Sequence, residues 1–179
     1  DIDDSRFSRV ITSEKKGCEL VADYFNNSEV KNILFLGARP LAMDINPGIR
    51  LKSFREHLSA IKKAASIELL VDPLSHEAGL EIRKLLNSNR KIEAVFADSD
   101  LLAKSVYVAA QELGISIPKD LLLIGYGDCD SASQLGISTV RTHLDASGRR
   151  AVEILRAHEH SDEPARVELK PELILRSTT

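Results

Sequence analysis

The sequence predicts an α/β fold with doubly wound, mainly parallel sheets. Short apolar runs of strand length alternate with segments of helical periodicity, each roughly ten to fifteen residues long, along most of the 179-residue chain. One stretch, Ile92 to Asp128, is a complete strand, helix and strand unit, and both of its strands end in acidic residues. In a parallel sheet these ends meet at one rim, where open α/β sheets bind their ligands.

The elements before this unit follow the same alternation. Val10 and Ile11 predict a short strand, and Thr12 or Ser13 can cap a helix that extends to about Asn26. The other elements predicted in this half are buried strands at 33–36 and 67–71 and helices at 46–61 and 75–86.

Within the central unit, Asp98 and Ser99 can cap a helix whose apolar residues recur at helical spacing. Gly114 ends that helix, and Pro118 prevents it from resuming before the strand at 121–124. An irregular stretch follows, up to Gly136. The last elements predicted are a strand at 138–140, a helix at 145–157 with Ala151, Ile154 and Leu155 facing inward, and extended segments at 167–169 and 173–175.

The composition excludes several functional classes. The 24 basic and 27 acidic side chains and a pI near 6.0 leave no electrostatic footprint for nucleic acid or an anionic membrane. The longest apolar runs are too short to span a membrane, and the first residues have no signal-peptide pattern, so we expect a cytoplasmic protein. Cys18 and Cys129 are expected to be free thiols.

Asp98-Ser99-Asp100 is the strongest local indication of an enzyme. Two carboxylates spaced in this way can attack a phosphate or hold Mg²⁺, and the motif resembles the first motif of the haloacid dehalogenase phosphatases. Leu102 stands where that family has a hydroxyl or small branched residue. We therefore favour helix capping by these side chains and keep a magnesium-dependent phosphatase using Asp98 and Asp100 as an alternative.

No metal or cofactor site is predicted elsewhere. Gly125-Tyr126-Gly127 lacks the third glycine of a dinucleotide-binding motif, and His158 and His160 have no third ligand nearby. Arg50 is of interest because Asn46-Pro47 predicts the start of a helix that has Arg50 in its first turn. There its guanidinium can bind the hydroxyls or the anion of a ligand. It can equally form an exposed salt bridge on the surface, and its position alone does not distinguish the binding role from the surface role.

The order and spacing of these segments resemble those of a known family. The matching segments are Gly17 with Ala22, 33–37, 50–54, 95–103, Gly114 with Ile117-Pro118, 124–128, 138–140, Gly148 with Ala151, and 175–178. Together they are similar to the effector-binding core of the lactose-repressor and galactose-repressor (LacI/GalR) family of bacterial transcription regulators. The resemblance implies a type I periplasmic-binding-protein-like fold with two lobes. Residues 1–37 are then a remnant of the amino-terminal lobe, 38–136 form the carboxyl-terminal lobe, and 137–179 cross between them.

A narrower resemblance is to the fructose-type and sucrose-type repressors, the subgroup that includes the catabolite repressor/activator. It is carried by 7–11, 36–41, Phe96 with Ser99, and Gly127-Asp128. Many other members of the family have a sugar-binding aspartate where this chain has Gly127. The resemblance therefore implies fructose, sucrose or a phosphorylated fructose as the effector.

By the same resemblance, Arg50 matches the family's effector-binding arginine, and Asn46 and Ser99 match polar residues that contact effector in relatives. Asp98 and Asp128 are further candidates at the same rim. The expected function is a non-enzymatic ligand-sensing core of a repressor, without metal or cofactor. Its expected partners are operator DNA, through a headpiece absent from this sequence, and a second copy in a homodimer. The alternatives are a transport-type sugar-binding protein and the phosphatase.

Overall fold

The computed structural model describes residues 6–39, 46–60, 65–75, 77–89, 91–157 and 164–179. Strands and helices alternate through these ranges. The strands are β1 Arg9–Thr12, β2 Asn32–Ala38, β3 Ala65–Val71, β4 Ala94–Ala97, β5 Leu122–Gly127, β6 Ser138–Arg141, β7 Arg166–Leu169 and β8 Glu172–Ile174. The helices are α1 Glu14–Asn27, α2 Asn46–Ala60, α3 Glu77–Ser88, α4 Asp100–Glu112, α5 Asp130–Gln134 and α6 Leu144–Ala157.

The strands form two sheets. Six of them follow the order β3-β2-β4-β5-β6-β8, all parallel except that β8 runs antiparallel to β6, and β1 pairs with β7 in a second, parallel sheet. Every residue of β4 is buried, as expected for a central parallel strand covered on both faces. The predicted α/β class with mainly parallel sheets is confirmed.

Alternate residues of the large sheet pack against different helices. On one face, Leu34 and Val95 belong to a core with side chains of α3 and α4. On the other, Phe35 and Phe96 pack with α1 and with Phe54 of α2, and the Phe54 and Phe96 rings lie 4.9 Å apart between centroids. This two-residue alternation is why single apolar runs in the sequence can serve two layers of helices.

The chain passes from the small sheet to the large one next to β1. The hydroxyl of Thr12 donates to the carbonyl of Thr142 (2.8 Å), and the Ser13 amide donates to Leu169 (3.2 Å). Residue 37, where the family resemblance puts the end of the amino-terminal lobe, lies in β2 of the large sheet. The hydrogen-bond partners of a strand decide to which sheet it belongs, and these partners cannot be read from the sequence between the strands.

The later segments also differ from the prediction. Residues 130–136, predicted as irregular, contain α5, which packs on α4 and β6. In α6 the predicted inward residues Ala151 and Leu155 are exposed, Leu155 to 68%, and Ile154 is partly buried. The reason is that α6 packs against β1, which is too small an element to cover its whole apolar face. Within the described ranges, no helix is both long enough and apolar enough to cross a membrane.

Candidate functional site

Arg50 lies at the carboxyl-end rim of the large sheet and joins four elements. Its Nε and Nη2 donate to the two carboxylate oxygens of Glu14 in α1, at 2.6 and 3.1 Å. Nη1 donates to the carbonyl of Asp98 just after β4 (2.7 Å), and the guanidinium carbon lies 4.1 Å from the centroid of the Tyr126 ring in β5. This cluster of Glu14, Arg50, Asp98 and Tyr126 is called the Arg50 cluster below.

Local sequence explains how these side chains meet. Glu14 is the first residue of α1, Arg50 lies one turn after the start of α2, and Asp98 follows a parallel strand that ends at the same rim. An acidic residue is favoured in a first turn because it compensates the helix dipole. The side chains of Arg50 and Glu14 are 17% and 16% exposed, so the pair is largely buried but still reaches solvent.

The guanidinium is charged and only partly used. Burial works to lower the pKa of Arg50, but the hydrogen bonds and the charge of Glu14 outweigh it and raise the pKa above its ordinary value. Of the five N–H donors of an arginine, three are engaged by Glu14 and Asp98. The other two N–H groups have no partner among the described residues.

The Tyr126 hydroxyl is buried behind the cluster. Its residue is 3% exposed, and the hydroxyl makes no hydrogen bond of good geometry to any described residue. Burial, followed by the nearby charge of Glu14, raises the pKa of Tyr126, which keeps the phenol neutral. Gly17 leaves the necessary space, since a Cβ there would overlap the hydroxyl oxygen.

Cys18 lies beside the cluster as an inert thiol. Its Sγ is 3.4 Å from the Arg50 carbonyl, to which it donates. Burial, followed by the charge of Glu14, raises the pKa of Cys18 to about 12. The thiolate that nucleophilic chemistry requires is therefore absent near neutral pH.

Asp98 and Ser99 are placed at the rim as predicted, with partly different contacts. The Asp98 carboxylate is buried, accepts the Ala38 amide (3.0 Å), and has its pKa raised by that burial. Ser99 is the helix cap, with its Oγ accepting the Leu102 amide at 3.4 Å. Asp98 thus links β4 to the end of β2 and does not cap α4.

Asp100 is a structural carboxylate. It is 3% exposed and accepts the Thr139 hydroxyl (2.6 Å) and the Cys129 amide (2.8 Å), which binds the start of α4 to β6 and the loop after β5. Gly125 permits this approach, because a Cβ there would overlap the carboxylate. With both Asp98 and Asp100 buried and engaged, the expected capping roles fall to Ser99 alone, and no carboxylate pair is open to a phosphate.

Asp128 forms a separate cluster. Arg176 donates to its Oδ1 (2.5 Å) and Arg141 to its Oδ2 (2.6 Å). Partial burial works to raise the pKa of Asp128, but these two arginines lower it below the ordinary value. Both carboxylate oxygens are engaged, and no described contact joins Asp128 to Arg50.

Among the predicted site residues, the structure brings Arg50 and Asp98 into contact through the Asp98 backbone carbonyl. Ser99 is the next residue in the sequence. Asn46 begins α2, one turn before Arg50, but its side chain lies outside the described residues. Sequence reasoning missed Glu14 and Tyr126, although Glu14 directly follows a predicted helix cap and Tyr126 lies near the end of β5. For metals, the described part of the chain contains no group of three candidate ligands, and His158 and His160 lie outside it.

Comparisons with known proteins agree with the fold. Residues 22–179 match the model of the periplasmic binding protein-like domain family. The ribose operon repressor of Haemophilus influenzae (strain ATCC 51907 / DSM 11121 / KW20 / Rd) is 33% identical over 135 residues, which are 72% of this chain and 41% of that protein. This chain therefore spans about two fifths of that relative's length.

Two solved structures have the same fold at lower sequence identity. A probable transcription regulator from Thermus thermophilus superimposes with a TM-score of 0.87 at 23% identity, covering 100% of this chain and 71% of that one. A LacI family transcriptional regulator from Arthrobacter sp. FB24, in complex with lactose, gives 0.84 at 22% identity, covering 95% and 64%. The family match extends over most of the chain, and we conclude that this chain belongs to the periplasmic binding protein-like domain family.

Proposed function

We propose that this chain is the ligand-sensing core of a LacI-type DNA-binding repressor and is not an enzyme. The observation that carries the proposal is the Arg50 cluster. It holds a charged guanidinium, two of whose donors have no partner among the described residues, at the strand-end rim beside the crossings between the two sheets. The repressor and regulator names of the similar proteins favour gene regulation over transport, which the fold alone does not distinguish.

The crossings support a two-state mechanism. Thr12 and Thr142 connect the small sheet to the large one through a single side-chain hydrogen bond, close to where Glu14 begins α1. A ligand that binds between the two parts and contacts both favours one relative arrangement, by as much as its affinity differs between the two. A DNA-binding headpiece attached to the smaller part then reads that arrangement.

The chemistry of the cluster fits a small hydroxylated ligand. Arg50 offers donors, Ser99 is partly exposed and can donate or accept, and Glu14 supplies acceptor oxygens. We propose Asn46, Arg50, Asp98 and Ser99 as the effector-binding set. Asp128 is proposed to act indirectly by holding the loop after β5. Within the sugars, the Gly127-Asp128 pattern favours fructose, sucrose or a phosphorylated fructose.

Calorimetric titration of the intact protein with fructose, sucrose and their phosphates tests the proposal. At least one should bind, and Arg50→Ala should weaken that binding by roughly tenfold or more because a charged hydrogen bond is lost. Arg55→Ala is the matched control: Arg55 lies on the same helix and pairs with Glu68 on the exposed surface. No response to any of these compounds, or equal effects of the two variants, would count against the proposed site.

The remaining expectations concern the whole protein. We propose a cytoplasmic homodimer that binds operator DNA through a headpiece outside this sequence. Exposed Leu80, Leu101 and Val108 on α3 and α4 form an apolar surface suited to a second copy. A helix-turn-helix encoded upstream in the same gene would support this view, whereas a secretory signal there would support a transport protein.

A further inference from the structure

We propose that Glu14 is a specificity-determining residue that makes the Arg50 cluster select uncharged hydroxylated ligands over phosphorylated ones. The inference rests on the proposed function, because it concerns the ligand of that same site. It separates two ligand classes, sugar and sugar phosphate, that the sequence pattern leaves together.

The first argument is geometric. A phosphate binds an arginine most strongly through two parallel hydrogen bonds along one edge of the guanidinium. Glu14 occupies such an edge, with its two oxygens on Nε and Nη2 at 2.6 and 3.1 Å. The carboxylate therefore takes one of the two edges through which a phosphate could bind Arg50, and the Asp98 carbonyl engages a donor of Nη1 near the other edge.

The second argument is the balance of charge. The charges of Glu14 and Arg50 cancel each other, and the Asp98 carboxyl lies in the same cluster. Among the described residues, the charged groups that act on Arg50 and Asp98 include no cation other than Arg50 itself. Arg141 and Arg176 are held by Asp128. An incoming phosphate would meet carboxylates with no uncommitted cation to receive it.

The third argument is the cost of displacing Glu14. Its side chain is 16% exposed, so moving Arg50 onto a phosphate would leave a largely buried carboxylate without its partner. A neutral hydroxyl avoids this cost. It can accept from the two unused N–H groups of Arg50 while the Glu14 pair stays intact.

Calorimetry of the intact protein with fructose and fructose 1-phosphate gives the selectivity directly. We expect the wild type to bind fructose roughly tenfold or more tightly than its phosphate, and Glu14→Gln to reduce that ratio by a similar factor. Glu14→Asp keeps the charge and should keep the preference. The matched control is Glu68→Gln, which removes an exposed carboxylate from the bidentate pair with Arg55 and should leave the ratio unchanged.

Inorganic phosphate is a second probe that does not depend on the identity of the sugar. In Glu14→Gln the guanidinium has lost its counter-ion, so phosphate at about 10 mM should raise the midpoint of thermal unfolding of this variant. The double variant Glu14→Gln with Arg50→Ala should show no such rise. The wild type should show no such Arg50-dependent rise. If Glu14→Gln does not fold, Glu14→Asp and the wild type still give the sugar ratio and the phosphate response.

The outcomes separate the two proposals. Three results would overturn the role of Glu14 while the ligand-sensing function stands. The wild type would bind fructose 1-phosphate more tightly than fructose, Glu14→Gln would leave the ratio of the two affinities unchanged, or the wild type would show an Arg50-dependent response to phosphate. A purely structural role for Glu14 would change stability and not the ratio. Absence of binding by every sugar and phosphate would overturn the proposed function and this inference with it.

Discussion

The guanidinium of Arg50 rests against the ring of Tyr126, 4.1 Å from its centroid, while the hydroxyl of the same tyrosine is buried without a hydrogen-bond partner among the described residues. One side chain thus contributes a favourable face and an unfavourable end. The ring attracts the cation, whereas the hydroxyl has exchanged its hydration for an interaction of poor geometry with Glu14.

Tyr126→Phe should therefore leave the free energy of unfolding unchanged or raise it by up to about 1 kcal/mol, since it removes the unpaired hydroxyl and keeps the ring. Tyr126→Leu should lower it by roughly 2–3 kcal/mol, because it loses both the cation–π contact and aromatic packing against Phe96. Urea unfolding of the two variants measures both. A clear loss of stability in Tyr126→Phe would show that the hydroxyl has a partner.

Gly17→Ala should destabilise the protein by roughly 1–3 kcal/mol, because the new methyl group overlaps the Tyr126 hydroxyl. Combining it with Tyr126→Phe should restore part of the loss. Gly148→Ala, in the middle of α6 with open space around it, is the control and should stabilise by about 0.5–1 kcal/mol. Equal effects of the two glycine replacements in thermal unfolding would contradict the close approach of α1 to β5.

Asp100→Asn should lower the free energy of unfolding by roughly 1–3 kcal/mol. An amide cannot accept from both the Thr139 hydroxyl and the Cys129 amide, so one buried donor loses its partner. Asp145→Asn provides the comparison, since Asp145 is also in a first helical turn but is exposed, and its effect should be clearly smaller. Similar losses in chemical denaturation would mean that Asp100 acts only through the helix dipole.

Asp128 should make stability depend on pH in the acid range. Its folded-state pKa lies below the unfolded value of about 3.9, so its contribution is present above that value and is lost as the pH falls through the folded pKa. Asp128→Asn should be less stable than the wild type at pH 7, and the difference should shrink below about pH 4. Exposed Asp130→Asn should change stability little at either pH; a constant gap for Asp128→Asn would contradict the pairing with Arg176 and Arg141.

Local patterns predicted the elements well. Each predicted strand and helix is present within a few residues, because apolar periodicity, the cap at Ser99 and the stop at Gly114 act over short distances. Gly114 has φ of 65° and sits where the amides of Gly114 and Ile115 return to the last turn of α4. The missed element, α5, is five residues long and lacks an apolar repeat that could reveal it.

Contacts between distant segments could not be predicted in the same way. The link between the two sheets at Thr12 and Ser13 is made by hydrogen bonds to residues 142 and 169, which are distant in sequence. The exposed face of α6 arises because β1, on which the helix packs, is short. Similarly, nothing near Asp128 in the sequence indicates that Arg176, 48 residues later, neutralises it. The prediction of Asp128 as an effector-binding residue rested on its place at the rim, and the two arginines that engage its carboxylate became visible only in the structure.

The sequence by itself determined the α/β class, the order of the elements and the rim on which Asp98 and Ser99 lie, because these depend on periodicity and on the direction of parallel strands. The family resemblance implied that Arg50 belongs to the same site. Only the tertiary structure decided which partner each carboxylate has. Asp100 and Asp128 hold strand ends together, while Glu14 comes from another helix to pair with Arg50. The physical reason is that a carboxylate's role is set by the donors packed around it, and those donors are brought together by folding.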